Sequence, residues 1–375
     1  MKHNYNIVGN QLLPVDTVKI MLPKGSYTLN NTQQFKPNCI GFTRTATKQE
    51  KHDGFYCPKV TIYKLTGTCT MEFSLPKLVR GNNLEELTVM DFYDVICLLQ
   101  THLKDYGILV SEENLRRADL YRVDFGKNLD LTSLCTVPEA LDTLNRCIGF
   151  GRKATYQIQY LNGGRALRLQ NASTDLLLYD KLYSYEMAGM SDKMCVETDH
   201  YCQKSLYEIL NISGKSVLRM EKRFANRRAV KRLFALYGII SPTFEDIFNP
   251  KIGRDIIETE WQLLLKACIL PINTRETNLL QQMINLLKSK QCKTLGMVFA
   301  YIVIQELLKT YSVKDLKKRF APYVGKNTMD NWFLRIHKLA GECGARPNFL
   351  DEVTRQITAW NPLELLVDFS DGENI

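Results

Sequence analysis

Between about residue 15 and residue 248, segments in which apolar and polar residues alternate with a period of two are separated by segments of helical periodicity, which predicts a region of mixed strands and helices. Residues 60–65 and 69–75 alternate on either side of a Thr-Gly pair, so we expect a β-hairpin there. Residues 154–161 and 165–170 flank an Asn-Gly-Gly turn sequence in the same way. The other strands predicted from the pattern are residues 118–125, 174–181 and 216–224.

Helical periodicity separates these strands. Between residues 88 and 106 apolar side chains recur on one face, and Gly107 is a typical helix stop. Thr136 and Glu139 have the spacing of a capping box and predict a second helix start. A strongly basic helix is predicted over residues 226–237, and a further helix is expected between the last two strands.

Beyond residue 250 only helical periodicity remains. The helices predicted there are residues 256–269, 277–288, 295–309, 313–320, 327–340 and 349–360. We therefore expect an α+β fold, in which an antiparallel sheet with helices on one face is followed by an all-helical C-terminal domain. Residues 1–250 would form the first domain and residues 251–375 the second. The order of elements suggests duplicated β-α-β units in the first domain.

Strict alternation also assigns side chains to the two faces of each strand. It places Tyr121 on the apolar face of its strand and Leu120 on the opposite, charged face. If the strands share one sheet, its polar face collects three carboxylates and four cations: Glu72, Asp124 and Glu221 with Arg122, Lys181, Arg219 and Arg223. Carboxylates about 5 Å apart repel by roughly 3 kcal/mol at an effective dielectric constant near 20.

Such a cluster favours a hard cation, and Mg²⁺ or Mn²⁺ suits oxygen ligands. The alternative is a solvated sheet face with ion pairs, which is common in antiparallel sheets. The five histidines are never close in sequence, so the adjacent-histidine motif of many nicking enzymes is missing. A metal would therefore have to bind to the carboxylates.

Tyr179 lies on the same predicted strand face as Lys181. Only about one phenol in a thousand is ionised at pH 7, because the pKa of tyrosine is near 10. A tyrosine nucleophile therefore needs assistance, and the charge of Lys181 could supply it. The alternative is an ordinary strand tyrosine, since the chain has eighteen tyrosines.

The charge and the cysteine content limit the classes of protein to which this chain could belong. The formal net charge is +9, and basic side chains concentrate in residues 215–232 and 314–319, which favours nucleic acid as a partner. The eleven cysteines include no CxxC pair, so we expect reduced thiols in a cytoplasm rather than a disulfide framework or a zinc site. No apolar run approaches the roughly 18 residues of a membrane span, and the start lacks a signal-peptide pattern.

Four separated motifs resemble one known family. They are EFSLPKLVRGNNLEEL, YRVDFGKNL, LLLYDKL and VLRMEKRF, which begin at Glu72, Tyr121, Leu176 and Val217. In order and spacing they resemble the gene II/gene X family of phage and plasmid replication proteins, typified by filamentous-phage gene II endonuclease. The similarity runs from about residue 15 to residue 248. More distantly, the R-x-D and R-x-E strands resemble those of Rep-trans-type plasmid initiators.

The resemblance implies a rolling-circle replication initiator. Tyr179 would be the nucleophile with Lys181 as its companion, and Asp124, Glu221 and Glu72 would lie near the metal. Attack would give a 5′-phosphotyrosyl enzyme and a free 3′-OH for a host polymerase, while a host helicase unwinds origin DNA. Tyr183 is the rival nucleophile, because alternation places it on the same face. The alternative functions are a conjugative or mobilisation relaxase and a non-catalytic DNA-binding regulator.

Two groups of basic residues are candidates for DNA contact. Residues 313–340 have the pattern of a helix-turn-helix, with an ordinary helical hairpin as the alternative. We expect residues 1–250 alone to nick single-stranded origin DNA and to lose most of their preference for duplex origin. The predicted DNA-binding residues are Arg122, Arg219, Arg223, Arg227, Arg228, Lys317, Lys318, Arg319 and Arg335, with Lys326, Thr328 and Asn331 also available to a major groove.

Overall fold

The computed structural model describes residues 11–47, 49–50, 56–148, 157–183, 214–267, 295–308, 310–325, 327–334 and 348–363. Its strands are β1 (Leu12–Leu13), β2 (Val15–Leu22), β3 (Tyr27–Leu29), β4 (Lys36–Pro37), β5 (Gly41–Arg44), β6 (Lys59–Tyr63), β7 (Cys69–Ser74), β8 (Leu87–Thr88), β9 (Ile108–Val110), β10 (Asp119–Asp130), β11 (Gln157–Leu161), β12 (Ala166–Gln170), β13 (Thr174–Asp180) and β14 (Val217–Phe224). The predicted helix at residues 277–288 and the one expected between β13 and β14 lie outside the described residues.

The α-helices are α1 (Leu75–Arg80), α2 (Phe92–Asp105), α3 (Glu112–Arg116), α4 (Val137–Cys147), α5 (Arg227–Ala235), α6 (Pro250–Ala267), α7 (Leu295–Leu308), α8 (Val313–Phe320) and α9 (Asn348–Ala359). Residues 327–334 are also helical. No helix among the described ranges is long and apolar enough to cross a membrane.

Ten strands form one antiparallel sheet in the order β11-β12-β13-β14-β10-β2-β7-β6-β5-β4. At its centre is the 12-residue strand β10, which pairs with β14 on one side and β2 on the other. The predicted hairpins form as β6–β7 and β11–β12. Positive φ angles at Gly67 (64°) and Gly163 (61°) close their turns. The predicted α+β class is confirmed, whereas the duplicated β-α-β units stay a prediction.

Local capping signals determine where several helices start and stop. Thr136 and Glu139 form the predicted capping box of α4. The Asn226 side chain accepts a hydrogen bond from the Ala229 N–H at 3.0 Å and starts α5. Helix α2 ends before Gly107, whose φ of 78° suits a glycine at a helix terminus.

A series of contacts between aromatic rings connects the apolar face of the sheet to helix α2. Phe73 of β7 meets Phe244 edge to face with ring centroids 5.8 Å apart, and Phe244 meets Phe248 at 5.6 Å. Phe248 in turn meets Phe92 of α2 at 4.6 Å. Edge-to-face packing of this kind adds to the free energy gained by burial.

Helices α6 and α9 belong to the same hydrophobic core as the sheet. Trp261 of α6 is fully buried, and its indole N–H donates to the Thr354 hydroxyl of α9 at 2.9 Å. Trp360, which follows α9, lies against the Lys127 ammonium of β10 at 5.8 Å. The domain boundary predicted at residue 250 therefore crosses this core, because two C-terminal helices complete the packing of the N-terminal sheet.

A second, smaller core lies between α7, α8 and residues 327–334. Val298 of α7, Leu316 of α8 and Phe333 are buried there. A turn that includes Pro322 and Gly325 separates α8 from residues 327–334. The two-helix arrangement predicted for this segment is thus present in the described residues, while its contact with DNA stays a prediction.

Candidate functional site

Two arginines connect three carboxylates on the polar face of the sheet. We call this row, Glu72–Arg122–Asp124–Arg223–Glu221, the arginine–carboxylate ladder. Arg122 donates to Glu72 Oε1 at 2.7 Å and to the two Asp124 oxygens at 3.1 and 2.6 Å. Arg223 donates to Asp124 Oδ2 and to Glu221 Oε1, both at 3.0 Å. Three carboxylates and two of the four cations expected to group on the polar face are therefore brought together, and they span β7, β10 and β14.

Burial determines the electrostatics of the ladder. Asp124 is 1% exposed, and burial raises its pKa in spite of the opposing charges of Arg122 and Arg223. Burial also raises the pKa of Glu221, and the negative charges of Asp16 and Asp124 raise it further. A carboxylate whose pKa is raised towards neutrality is a better proton acceptor.

The Tyr179 hydroxyl lies at one end of the ladder, where it donates to Glu221 Oε2 at 3.4 Å. This is longer than the usual O–H···O distance of about 2.5–3.0 Å. The Lys181 amine lies 5.8 Å from the Tyr179 ring centroid and is almost fully buried. Burial, followed by the charge of Arg219, holds the pKa of Lys181 well below its ordinary value. The predicted nucleophile therefore has a carboxylate beside its hydroxyl and an amine near its ring.

The rival tyrosine, Tyr183, has a different environment. Strand β13 ends at Asp180 and residues 181–183 are helical, so alternation cannot place Tyr183 on the face of Tyr179. The Tyr183 ring lies 4.0 Å from the Arg165 guanidinium, and its N–H donates to Asp180 Oδ1 at 3.0 Å. The predictions that Tyr183 and Lys181 share a strand face with Tyr179 are wrong, because both residues follow the end of β13.

A β-bulge brings Asp16 to the site, and sequence reasoning missed this residue. The register between β10 and β2 shifts between Asp124 and Phe125, and Asp16 is the extra residue of β2. Bulges redirect side chains in this way and occur often near active sites. The signal in the sequence is the spacing of Val15 and Val18, two buried residues that lie three rather than two positions apart.

Asp16 links three strands through buried contacts. Its Oδ1 accepts from the Ser74 hydroxyl at 2.9 Å, and its Oδ2 accepts from Arg219 at 2.7 Å. Burial acts to raise the pKa of Asp16, but the charges of Arg219 and Lys181 outweigh it and lower the pKa. Arg219 reaches Asp16 across Gly126, where a Cβ atom would lie 2.6 Å from the guanidinium. A side chain at position 126 would therefore displace the Arg219 guanidinium from this position.

A second bulge changes the faces at the start of β10. The register to β2 shifts between Leu120 and Arg122, so Tyr121 is the extra residue. Leu120 is 1% exposed in the core, whereas Tyr121 lines a surface cleft together with Arg122. The predicted faces of Leu120 and Tyr121 are therefore wrong, because strict alternation does not hold across a bulge.

The carboxylates of the ladder are the candidate ligands for the predicted Mg²⁺ or Mn²⁺. Their oxygens are chemically suitable, but the Arg122 guanidinium bridges Glu72 to Asp124, and that of Arg223 bridges Asp124 to Glu221. Within the described ranges, no group of three histidine, cysteine or acidic residues is placed to hold an ion. This arrangement does not fit a metal cage, and the metal-binding roles of these carboxylates stay predictions.

The predicted DNA-binding residues of the sheet domain differ in exposure. Arg219 is 3% exposed, so its guanidinium lies inside the protein, where it binds Asp16. Arg122 and Arg223 keep 23% and 32% of their side chains exposed. Arg228 is exposed, whereas Arg227 is half-buried and donates to Asp119 at 2.6 Å.

The basic residues of α8 lie far along the chain from this site. Lys317 pairs with Asp330 at 2.8 Å, and Lys318 and Arg319 are exposed. Arg335, like Lys326, lies outside the described residues.

Three kinds of comparison with known proteins gave no match: no family model, no curated protein and no solved structure is similar to this chain. The resemblance to the gene II/gene X family therefore depends only on the four motifs quoted above. Of these motifs, LLLYDKL supplies Tyr179 and Lys181, and VLRMEKRF supplies Glu221.

Proposed function

We propose that this chain is a rolling-circle replication initiator, a sequence-specific DNA-nicking and strand-joining enzyme that acts through Tyr179. The observation that carries the proposal is the contact between the Tyr179 hydroxyl and Glu221, on a sheet face where Arg122 and Arg223 reach solvent. A phenol nucleophile needs a proton acceptor, and the transition state at a phosphodiester needs positive charge. Both are present beside the same tyrosine.

The chemical step is a transesterification. The Tyr179 oxygen attacks the phosphorus atom while the bond from phosphorus to the 3′ oxygen breaks. Glu221 accepts the phenol proton, and the departing 3′ oxygen gains a proton from solvent, so no net proton is lost. The products are a 5′-phosphotyrosyl enzyme and a free 3′-OH. Because the phosphotyrosine keeps an ester bond, attack by a 3′-OH reverses the step and joins the strand.

Arg122 and Arg223 would stabilise the charge that develops on the phosphate oxygens. Asp124 binds both guanidiniums and is almost fully buried, so it holds them in place before a substrate arrives. Preorganised cations lower a reaction barrier more than mobile ones, because they need no rearrangement during the reaction. Asp124 therefore acts here as a positioning residue for the two arginines.

Lys181 would assist Tyr179 from beside its ring, where the amine lies 5.8 Å from the ring centroid. Burial penalises the ammonium form and lowers the pKa of Lys181, so it holds its proton less tightly than an exposed lysine. We therefore assign Lys181 to support of the Tyr179 phenol, beside Glu221.

The proposed partners follow from the products of the reaction. Origin DNA, duplex or single-stranded, is the substrate, a host polymerase would extend the free 3′-OH, and a host helicase would unwind the duplex. The dependence on Mg²⁺ or Mn²⁺ stays a prediction. Nicking assays in EDTA and with each metal added back test it directly.

The experiment that tests the proposed function is a nicking and adduct assay on supercoiled DNA of the replicon that carries the gene. We expect wild-type protein to relax the DNA and to form a covalent protein–DNA adduct. Tyr179→Phe should do neither, while Tyr183→Phe and the control Tyr160→Phe, an exposed tyrosine of β11, should keep both activities. Adducts formed by Tyr179→Phe but not by Tyr183→Phe would transfer the assignment to Tyr183.

A further inference from the structure

A cleft of about 790 Å³ lies where the starts of β10 and α5 meet strand β2. It is lined by one aromatic and five cationic side chains: Lys19, Tyr121, Arg122, Arg227, Arg228 and Arg232. The described residues that line it include no carboxylate. We call it the basic cleft. Among its lining residues only Arg122 also belongs to the arginine–carboxylate ladder, so the cleft adjoins the ladder at Arg122.

The bulge in β10 gives the basic cleft its aromatic side chain. In a regular strand Tyr121 would point into the core, but the extra residue turns it to the cleft beside Arg122. The Arg227 guanidinium lies 5.2 Å from the Tyr121 ring centroid and is itself held by Asp119 at 2.6 Å. The Tyr121 ring therefore lies against a guanidinium that is itself anchored by an ion pair.

We propose that the basic cleft binds single-stranded DNA next to the cleavage position, with its cations on the phosphates and Tyr121 as a platform for one base. This inference rests on the proposed function and extends it to a second part of the surface. Cations that follow the backbone, combined with an aromatic ring on which a base stacks, are how proteins bind single strands without reading sequence. Bases are available for stacking only where the two strands are separated.

The distance to Tyr179 gives the position of the cleft along the DNA. Ser173 lines the cleft, and Tyr179 lies six positions further along the same chain segment, mostly within β13. At about 3.3 Å per residue this is roughly 20 Å. At about 3.4 Å per stacked nucleotide, a strand covers this distance in about six nucleotides, and in fewer when stretched. The cleft would therefore hold DNA a few nucleotides from the nick.

The test measures binding of a labelled oligothymidylate of about 20 nucleotides to the full-length protein in a Tyr179→Phe background, in which no cleavage is expected. The cleft variant is Arg228→Gln with Arg232→Gln. The matched control is Lys231→Gln with Lys251→Gln, which removes the same charge from exposed residues of α5 and α6 outside the cleft. Thermal unfolding of both double variants shows whether the fold is kept.

We expect the cleft variant to bind more weakly than the control, with a salt dependence flattened by about 1.4 log units, about 0.7 for each lost phosphate contact on single strands. Tyr121→Leu should weaken binding about tenfold or more, whereas Tyr121→Phe should keep it, because stacking needs the ring and not the hydroxyl. Equal affinity of the cleft and control variants, or of Tyr121→Leu and Tyr121→Phe, would overturn the proposal.

This proposal and the proposed function fail separately. If wild-type protein forms no adduct but the cleft variant loses single-strand binding, the nicking function is wrong and the cleft assignment stands. If adducts form at Tyr179 while the cleft variant binds like its control, only the cleft assignment is wrong. The cleft variant could also lose as much affinity for a duplex of mixed sequence as it loses for the oligothymidylate. The cleft would then be a general phosphate surface, and the proposal would be overturned.

Discussion

The polar face of the sheet and the small helical core around α8 both carry many basic side chains, but the two regions differ in how deeply these side chains are buried. In the sheet, Arg219 and Lys181 are 3% and 2% exposed and interact with the buried Asp16. On α8, Lys318 and Arg319 are exposed. Buried charges interact strongly and are screened little by salt, whereas exposed charges are screened. Substitutions in the sheet should therefore change stability and chemistry, and those on α8 should change DNA affinity alone.

Within the sheet, two buried carboxylates have opposite pKa shifts. The pKa of Asp16 is lowered, because Arg219 and Lys181 outweigh the effect of burial. The pKa of Glu221 is raised, because burial and two nearby carboxylates outweigh its arginines. Asp16 therefore stabilises the fold when it is ionised, whereas ionised Glu221 costs stability. A group that costs stability and lies beside a nucleophile is a candidate for a functional role.

After the complete loss of nicking expected for Tyr179→Phe, the largest expected effect is that of Glu221→Gln on the nicking rate. Loss of a general base lowers rates by about 10²–10⁴-fold, and we expect adduct formation to fall in that range. The free energy of unfolding should stay the same or rise, because the amide removes a buried negative charge near Asp16 and Asp124. Adduct rates and urea unfolding measure the two effects.

The pH dependence sharpens this test. Since the pKa of Glu221 is raised in the folded state, the carboxylate is protonated and unable to accept a proton until the pH exceeds that raised value. The wild-type nicking rate should therefore rise with pH through this pKa, and Glu221→Gln should lack that rise. A glutamine variant with a wild-type rate and pH profile would remove Glu221 from the mechanism.

The next effect is the loss of stability in Asp16→Asn. Removing one partner of a buried ion pair typically costs about 3–5 kcal/mol, because the Arg219 guanidinium would remain buried without its carboxylate. The control is Glu112→Gln, which removes a half-exposed ion pair with Arg116 and should cost about 0.5 kcal/mol or less. Urea unfolding of both variants at neutral pH checks the difference, and equal costs would contradict the account.

Acid should lower the free energy of unfolding of the wild-type protein, as Asp16→Asn does at neutral pH. Because the pKa of Asp16 is lowered in the fold, its stabilising effect is complete above its unfolded-state value of 3.8. It is lost as the pH falls through the lower, folded-state pKa. The difference in unfolding free energy between wild type and Asp16→Asn should therefore shrink in acid.

The smallest effect is expected on α8. Lys318→Gln with Arg319→Gln should weaken binding to origin and scrambled duplexes alike and reduce the salt dependence by about 0.9 log units per lost contact. Lys317→Gln should have less effect on binding, because Lys317 already pairs with Asp330. Salt-titrated binding measures both. A loss confined to the origin sequence would instead indicate base recognition by these residues.

Local signals in the sequence predicted much of the fold. The two hairpins follow from turn glycines, and the starts of α4 and α5 follow from Thr136 and Asn226. That Glu72, Asp124 and Glu221 share one face of the sheet follows from period-two alternation in β7, β10 and β14. Within each strand, hairpin or helix start, the residues that decide the structure lie within a few positions of one another.

The features that sequence reasoning missed depend on distant contacts. The Asp16–Arg219 ion pair joins residues 203 positions apart, and the bulges at Asp16 and Tyr121 are defined only by the partner strand. The division at residue 250 was predicted from a change in periodicity, which does not reveal that α6 packs on the sheet. Without Trp261 and Trp360 that core is incomplete, so we now expect residues 1–250 alone not to fold rather than to nick DNA.

The most direct test of the central claim is mass spectrometry of the trypsin-digested protein–DNA adduct. Trypsin cleaves after Arg168 and Lys181, so residues 169–181 form a peptide in which Tyr179 is the single tyrosine, and Tyr183 falls in the next peptide, residues 182–193. We expect the nucleotide mass on residues 169–181, with fragment ions that place it on Tyr179. A nucleotide on residues 182–193, or on no tyrosine at all, would contradict the account.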